Sequence, residues 1–336
     1  MKNQAQNRLI CGFMFCVCLF CAVTETQAQS DITVSTDAGN CSAVVNGLEF
    51  IPLVLPAGIV SYTLSGATTT STNGNTTDAS GNVFNKGVTT VKYFDDLVPV
   101  HQFTVTVNDE EEPALNNKPA IEIFLRTNGS YILRADTLLN SASDNCVILD
   151  TLIKRTDGGN YAKTVTLNCG DADSSVNVTI KLTDVNGNFT EKISLITVKD
   201  TISPIVDKKT TLTGYLNGAG EFRLKADTLI NSATDNCTSD LRYEVSRNGV
   251  IYKDTLLFHC GDTVAAGKAI FVKVTDKSGN TTNWGATIFV KDTISPIVDK
   301  ITTLTGYLNG AGEFRLKADT LINSATDNCT SDLRYE

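Results

Sequence analysis

Apolar residues recur with a period of two along much of this chain. Val176, Val178, Ile180 and Leu182 alternate with Asn177, Thr179 and Lys181, and Ile270, Val272 and Val274 alternate with Phe271, Lys273 and Thr275. Such alternation places one face of a strand on a core and the other in water, as in an antiparallel sheet packed on a second sheet. Asn-Gly pairs at Asn128-Gly129, Asn186-Gly187, Asn217-Gly218 and Asn248-Gly249 offer the positive φ angles that tight hairpin turns require. Thr, Asn, Asp, Gly and Val dominate and helical heptads are absent, so the pattern predicts several short strands per segment and an all-β fold of sandwiches.

The pattern also repeats at long range. Residues 199–244 reappear at 291–336 with one change, Lys209 becoming Ile301. Acidic-to-proline junctions at Asp109–Pro113, Asp200–Pro204 and Asp292–Pro296 stand 91 and then 92 residues apart. A fixed period of this length marks a tandem array. We place modules at 29–108, 109–199 and 200–291, each long enough for a small β-sandwich with its own core. Residues 292–336 form an incomplete module, whose repeat breaks off before the second half of its hairpin. The sequence is therefore expected to be a fragment, and its last module is not expected to form a stable sandwich alone.

Six cysteines follow residue 28: Cys41, Cys146, Cys169, Cys237, Cys260 and Cys329. If Asn248-Gly249 is a two-residue hairpin loop, Cys237 stands opposite Cys260 across the strands, and an Asp157-Gly158 turn likewise sets Cys146 opposite Cys169. The spacing thus predicts disulfides Cys146–Cys169 and Cys237–Cys260, each worth about 3.5 kcal/mol on a chain-entropy model. Cys329 corresponds to Cys237 and has no partner on this plan. Cys41 is expected as a free thiol or an intermolecular link.

Residues 1–28 carry Lys2 and Arg8, an apolar run from Leu9 to Val23, and Thr26-Gln27-Ala28. This is the layout of a signal peptide cleaved after Ala28, and it predicts a secreted or cell-surface protein with oxidised cysteines. No later stretch approaches the roughly 18 to 20 apolar residues of a membrane span. The net charge is -9, with no basic patch of the kind nucleic-acid binding needs.

The first module, from DITVSTDAGNCSAVV through VFNKGVTTVKY to HQFTVTVNDEEEP, resembles the hyalin repeat (HYR), an immunoglobulin-like extracellular module. The family pattern has a GTTTVTY strand and a CSFTVTV strand followed by an acidic residue and proline. This chain departs from it at His101, which stands where the pattern has its late cysteine. The second and third modules are more remote, keeping ASDNC or ATDNC, then TDVNGN or TDKSGN, then the acidic-to-proline exit. The resemblance implies tandem immunoglobulin-like β-sandwich modules, the last truncated, in an adhesion or stalk protein of bacterial secreted or surface type, with an extracellular protein or glycan as ligand.

Candidate chemistry is sparse. His101 and His259 lie in different modules without a GxSxG, HExxH or phosphate-loop pattern beside either, so no catalytic or cofactor-binding residue is assigned and the chain is read as non-enzymatic. The alternative is an accessory region of a secreted hydrolase whose catalytic domain lies outside these residues. Asp184-Val185-Asn186-Gly187-Asn188 and Asp276-Lys277-Ser278-Gly279-Asn280 have glycine at the fourth rather than the sixth position of an EF-hand loop and read as hairpin turns. The junction acids Asp109, Glu110, Glu111 and Glu112 are either a solvated hinge or ligands that meet Asp or Asn loops around a hard cation, and no metal is assigned. Asp-Thr followed by an aliphatic residue, as at Asp136-Thr137-Leu138 and Asp227-Thr228-Leu229, is similar to an O-glycosylation acceptor, although threonine also simply favours strands.

Overall fold

The computed structural model describes residues 30–50, 60–70 and 78–336, and the signal-peptide segment lies outside the described residues. The chain divides into two compact units. One holds the residues up to Ala114 together with the loops 143–149 and 183–189, and the other holds 115–142, 150–182 and 190–336. Both are built from strands and short 3-10 turns.

In the N-terminal unit, a four-stranded sheet runs in the order Ile32–Ser35, Val98–Asn108, Gly87–Asp95, Val60–Gly66. The first strand pairs parallel to the last one of the unit, with Ile32 opposite Val105. Ser42–Val45 and Asn82–Asn85 form the facing antiparallel pair. Leu48, Phe84, Val91, Tyr93 and Val105 are fully buried between the layers. The Tyr93 hydroxyl donates to the Leu48 carbonyl and accepts from the Ala79 N–H at 2.9 Å. Burial pushes the Tyr93 phenol up to about 12.

The second unit repeats the plan. One sheet has the order Gly158–Ala162, Ile148–Arg155, Ser174–Asp184, Phe189–Lys199, Ala120–Phe124, and it faces the pair Ser130–Arg134 with Thr164–Asn168. A second four-stranded sheet has the order Thr211–Tyr215, Thr281–Lys291, Lys268–Thr275, Arg242–Ser246, and it faces Glu221–Lys225 paired with Thr255–His259. In both large sheets an early strand again pairs parallel to a late one. Two sheets joined this way are the immunoglobulin-like sandwich, and the protein is an all-β tandem of them. The alternation seen in the sequence sets the layers: Val178, Ile180, Leu182, Val272 and Val274 are fully buried, while Phe271 is 44% exposed.

Two of the turn expectations change. Asn186-Gly187 does turn one strand into the next, with Gly187 at φ +96°. Asn128-Gly129, with Gly129 at φ +70°, instead carries the chain from one sheet to the other. In Asn217-Gly218-Ala219-Gly220 the positive φ falls on Gly220, at +71°, rather than on Gly218.

The disulfides are Cys41–Cys146, Cys169–Cys237 and Cys260–Cys329, so the expected pairs Cys146–Cys169 and Cys237–Cys260 are corrected. The hairpin register itself holds locally, with Ile153 opposite Ala162. At Lys163, however, the chain changes sheets, and Thr164–Asn168 pairs with Ser130–Arg134. This takes Cys169 away from Cys146. In the third module the hairpin shrinks to a single bridge between Val245 and Lys253 before Thr255–His259 joins Glu221–Lys225. Cys41 and Cys329, expected to be unpaired within the chain, are both bonded.

In residues 292–336 the strands are Ile297–Lys300 and Ile322–Thr326, paired with each other beside the 3-10 turn Ala318–Leu321. Leu308 is 70% and Leu316 51% exposed, whereas their counterparts Leu216 and Leu224 are buried, at 4% and 1%. The segments that cover Leu216 and Leu224 have no counterpart within residues 292–336.

Candidate metal centres

Twice along the chain, three aspartates come together from three separate motifs. Asp109 comes from an acidic-to-proline junction, Asp144 from ASDNC and Asp184 from TDVNGN. Their carboxylate oxygens lie within 4.8 Å of one another. Asp200, Asp235 and Asp276 make the same arrangement, each displaced by 91 or 92 residues along the chain. The first set lies wholly in the N-terminal unit, because the loops 143–149 and 183–189 belong to it, and the second set lies wholly in the other.

Local hydrogen bonds explain how each carboxylate is held. Asp184 Oδ1 accepts from the N–H groups of Asn186 and Asn188 at 2.9 and 2.8 Å, and its Oδ2 accepts from Asn188 Nδ2 at 2.8 Å. Asp276 accepts from the Asn280 N–H and side chain at 2.8 Å each. These are side-chain-capped turns in which the aspartate replaces a backbone acceptor. Asp144 Oδ2 accepts from the Cys146 N–H and Asp235 Oδ2 from the Cys237 N–H, both at 2.9 Å. Asp109 Oδ1 accepts from Asn145 Nδ2 at 3.1 Å, and Asp200 Oδ1 from Asn236 Nδ2 at 3.0 Å.

One oxygen is left over on the junction aspartate, on the aspartate before the asparagine and on the asparagine itself, whereas both oxygens of Asp184 and of Asp276 accept hydrogen bonds. Asp109 Oδ2, Asp144 Oδ1 and Asn145 Oδ1 are buried without a hydrogen-bond partner among the described residues, and so are Asp200 Oδ2, Asp235 Oδ1 and Asn236 Oδ1. Asp109, Asp184, Asp200 and Asp276 are only 6%, 0%, 4% and 6% exposed. Among the described residues none of the six aspartates has an ion-pair partner within 4.0 Å. Two unit charges at about 4.8 Å repel by roughly 3 to 4 kcal/mol at an effective dielectric near 20. Three carboxylates held this close, two of them buried and none beside a cationic side chain, are therefore costly, and the free oxygens are all hard donors.

The other acids named from the sequence lie elsewhere. Glu110 accepts from the Ser35 hydroxyl at 2.7 Å, and Glu111 accepts from the Gly39 N–H at 2.9 Å. Asp144 and Asn145 line an open depression of about 240 Å³ with Gly39, Glu111, Glu112, Ala114 and Ser143. His101 stacks between Phe50 and Phe103, with ring centroids 6.0 and 5.5 Å away. His259 precedes the 3-10 turn Cys260–Asp262, and its N–H donates to Asp262 at 3.0 Å. Asp136-Thr137-Leu138 and Asp227-Thr228-Leu229 form 3-10 turns rather than strand starts.

No family model and no curated protein sequence matches this chain. Among solved structures, the titin I-band fragment I67-I69 aligns at 10% identity over 79% of this chain and 96% of its own, with a TM-score of 0.37. Sidekick-1 immunoglobulin domains 1-5 align at 11% identity over 80% and 58% of the two chains, with a TM-score of 0.32. Drosophila N-cadherin EC1-3 aligns at 14% identity over 79% and 98%, with a TM-score of 0.29. All three are tandem β-domain structures at low similarity, and the immunoglobulin-like assignment rests on the strand order described above. Among the described residues no helix is long and apolar enough to cross a membrane.

Proposed function

We propose that the protein is a non-catalytic, secreted or cell-surface repeat protein of hyalin-repeat type, which acts in adhesion or as a stalk that carries another domain away from a surface. In this reading the repeats are 29–108, 109–199, 200–291 and the partial 292–336, and the ligand is an extracellular protein or glycan. The observation that carries it is the course of the disulfides. Cys41–Cys146, Cys169–Cys237 and Cys260–Cys329 each bond a cysteine of one repeat to a cysteine of the next. A bridge within one sandwich would stabilise that sandwich alone, whereas bonds that step from repeat to repeat limit how far the array extends under load. Weak contacts distributed along such an array add up through avidity.

Pulling the chain from its ends tests the mechanical part of this reading. The bridges enclose non-overlapping sequence separations of 105, 68 and 69 residues, which hide about 240 residues, or roughly 800 Å of extended chain, from the applied force. The oxidised protein should therefore unfold to a contour length shorter by about that amount than the reduced protein. A difference near 160 Å, as for bridges confined to single hairpins, contradicts it.

A further inference from the structure

The geometry points to two calcium-binding sites, one formed by Asp109, Asp144, Asn145 and Asp184 and the other by Asp200, Asp235, Asn236 and Asp276. Three observations meet at each. The carboxylates converge within 4.8 Å. Asp109 and Asp200, each more than nine-tenths buried, keep one carboxylate oxygen with no hydrogen-bond partner, as do Asp144 and Asp235. The neighbouring asparagine donates its amide nitrogen to the junction aspartate and leaves its own oxygen buried and unpartnered.

The two sites share no residue and lie in different units, yet the same atoms are left free in both. In each, hydrogen bonds fix one oxygen of the junction aspartate and of the aspartate beside the asparagine and leave the other open, while the third aspartate accepts hydrogen bonds on both oxygens and offers the ion only its remaining lone pairs. Four side-chain oxygens, three of them anionic, with no nitrogen or sulfur donor, describe a hard divalent cation that tolerates an irregular shell of six to eight oxygens. Calcium meets that description better than magnesium, which demands near-octahedral geometry and holds its own water. The open depression lined by Asp144 and Asn145 gives solvent access to the first site, so water is the natural source of the remaining ligands of such a shell. Asp292, Asp327 and Asn328 begin a third set, with Asn328 Nδ2 donating to Asp292 Oδ1 at 3.0 Å. The counterpart of Asp276 does not fall within residues 292–336, and this set is not part of the proposal.

A bound ion would tie the junction residue to the two loops that follow it along the chain. This conclusion needs only the folded chain. An extracellular location would determine whether the sites are filled in the cell.

Equilibrium dialysis of the oxidised chain against radioactive calcium is the direct test. The expected result is two ions per chain, with dissociation constants on the order of 10⁻⁴ to 10⁻³ M, and a melting midpoint a few degrees higher in calcium than in chelator. Asp184→Asn should leave one ion, Asp276→Asn the other, and the double variant none, with the far-ultraviolet spectrum of the parent. Equimolar magnesium should displace little of the bound calcium. Absence of binding at 10 mM calcium, identical melts of the parent chain in calcium and chelator, or a double variant that still binds two ions overturns the proposal. The parent melts are independent of whether any variant folds.

Discussion

Gly129 and Gly220 are where single residues bear most on the close packing around two of the disulfides. Gly129 has φ +70°, and a Cβ there would come within 2.5 Å of the Asn236 carbonyl oxygen and 2.7 Å of Cys169 Sγ. At Gly220, with φ +71°, the Asn328 oxygen and Cys260 Sγ would both lie at 2.8 Å. Gly187 has φ +96° but open space around it. Alanine at Gly187 should cost about 1 to 2 kcal/mol for the left-handed backbone alone. Alanine at Gly129 or Gly220 should cost clearly more, because backbone and a disulfide must also move. Thermal or urea unfolding of the three oxidised variants checks that order. The need for glycine at 129 was readable from the Asn-Gly pair. The neighbour it must clear was not, since Asn236 is brought there by the fold. The six aspartates tell a similar story. Every one of them sat in a recurring motif, but what marks them as a candidate site is convergence in space and the oxygen that four of them, Asp109, Asp144, Asp200 and Asp235, leave unpaired. The single change between the long copies has a local consequence: Lys209 Nζ donates to the Thr228 carbonyl at 3.1 Å, a bond that Ile301 cannot make.

At the scale of the element, two short turns contribute to the pH dependence. Asp171 lies in the turn Cys169–Asp171 and pairs with Arg155 at 2.9 Å, while Asp262 lies in Cys260–Asp262 and pairs with Arg247 at 3.0 Å. Burial works to raise both carboxyls. Hydrogen bonds from the guanidinium groups and from the Asn168 and His259 N–H groups outweigh it and hold both below the usual carboxylate range. A depressed folded-state value contributes stability that is fully present above the unfolded carboxylate pKa of about 4 and is lost as pH falls through the folded value. Stability should thus fall below about pH 4, and Asp171→Asn with Asp262→Asn should flatten that acid limb in a circular-dichroism titration. The strands themselves show how far local sequence reaches. Thr211–Tyr215 and Glu221–Lys225 are strands, yet the identical residues 303–307 and 313–317 are not. Their alternation marks a capacity for strand structure, and the ladder forms only where Thr281–Lys291 and Thr255–His259 are there to pair with them.

For the whole molecule, the all-β tandem architecture was legible because alternation, turn residues and a fixed period all describe the same thing. The connectivity of the cysteines was not, because a hairpin read from its turn gives no sign that its second strand will leave for the other sheet at Lys163. That crossing makes the difference between bridges inside each repeat and bridges from one repeat to the next. The latter close longer loops, worth about 4 to 5 kcal/mol each on the chain-entropy model. Tryptic mapping of the unreduced protein decides between them. The peptide 164–181 contains Cys169, and the peptide 226–242, identical in sequence to 318–334, contains Cys237. The account predicts that 164–181 is recovered joined to that shared peptide, with Cys41 joined to the peptide of Cys146. Recovery of 164–181 joined to the peptide of Cys146 would contradict it.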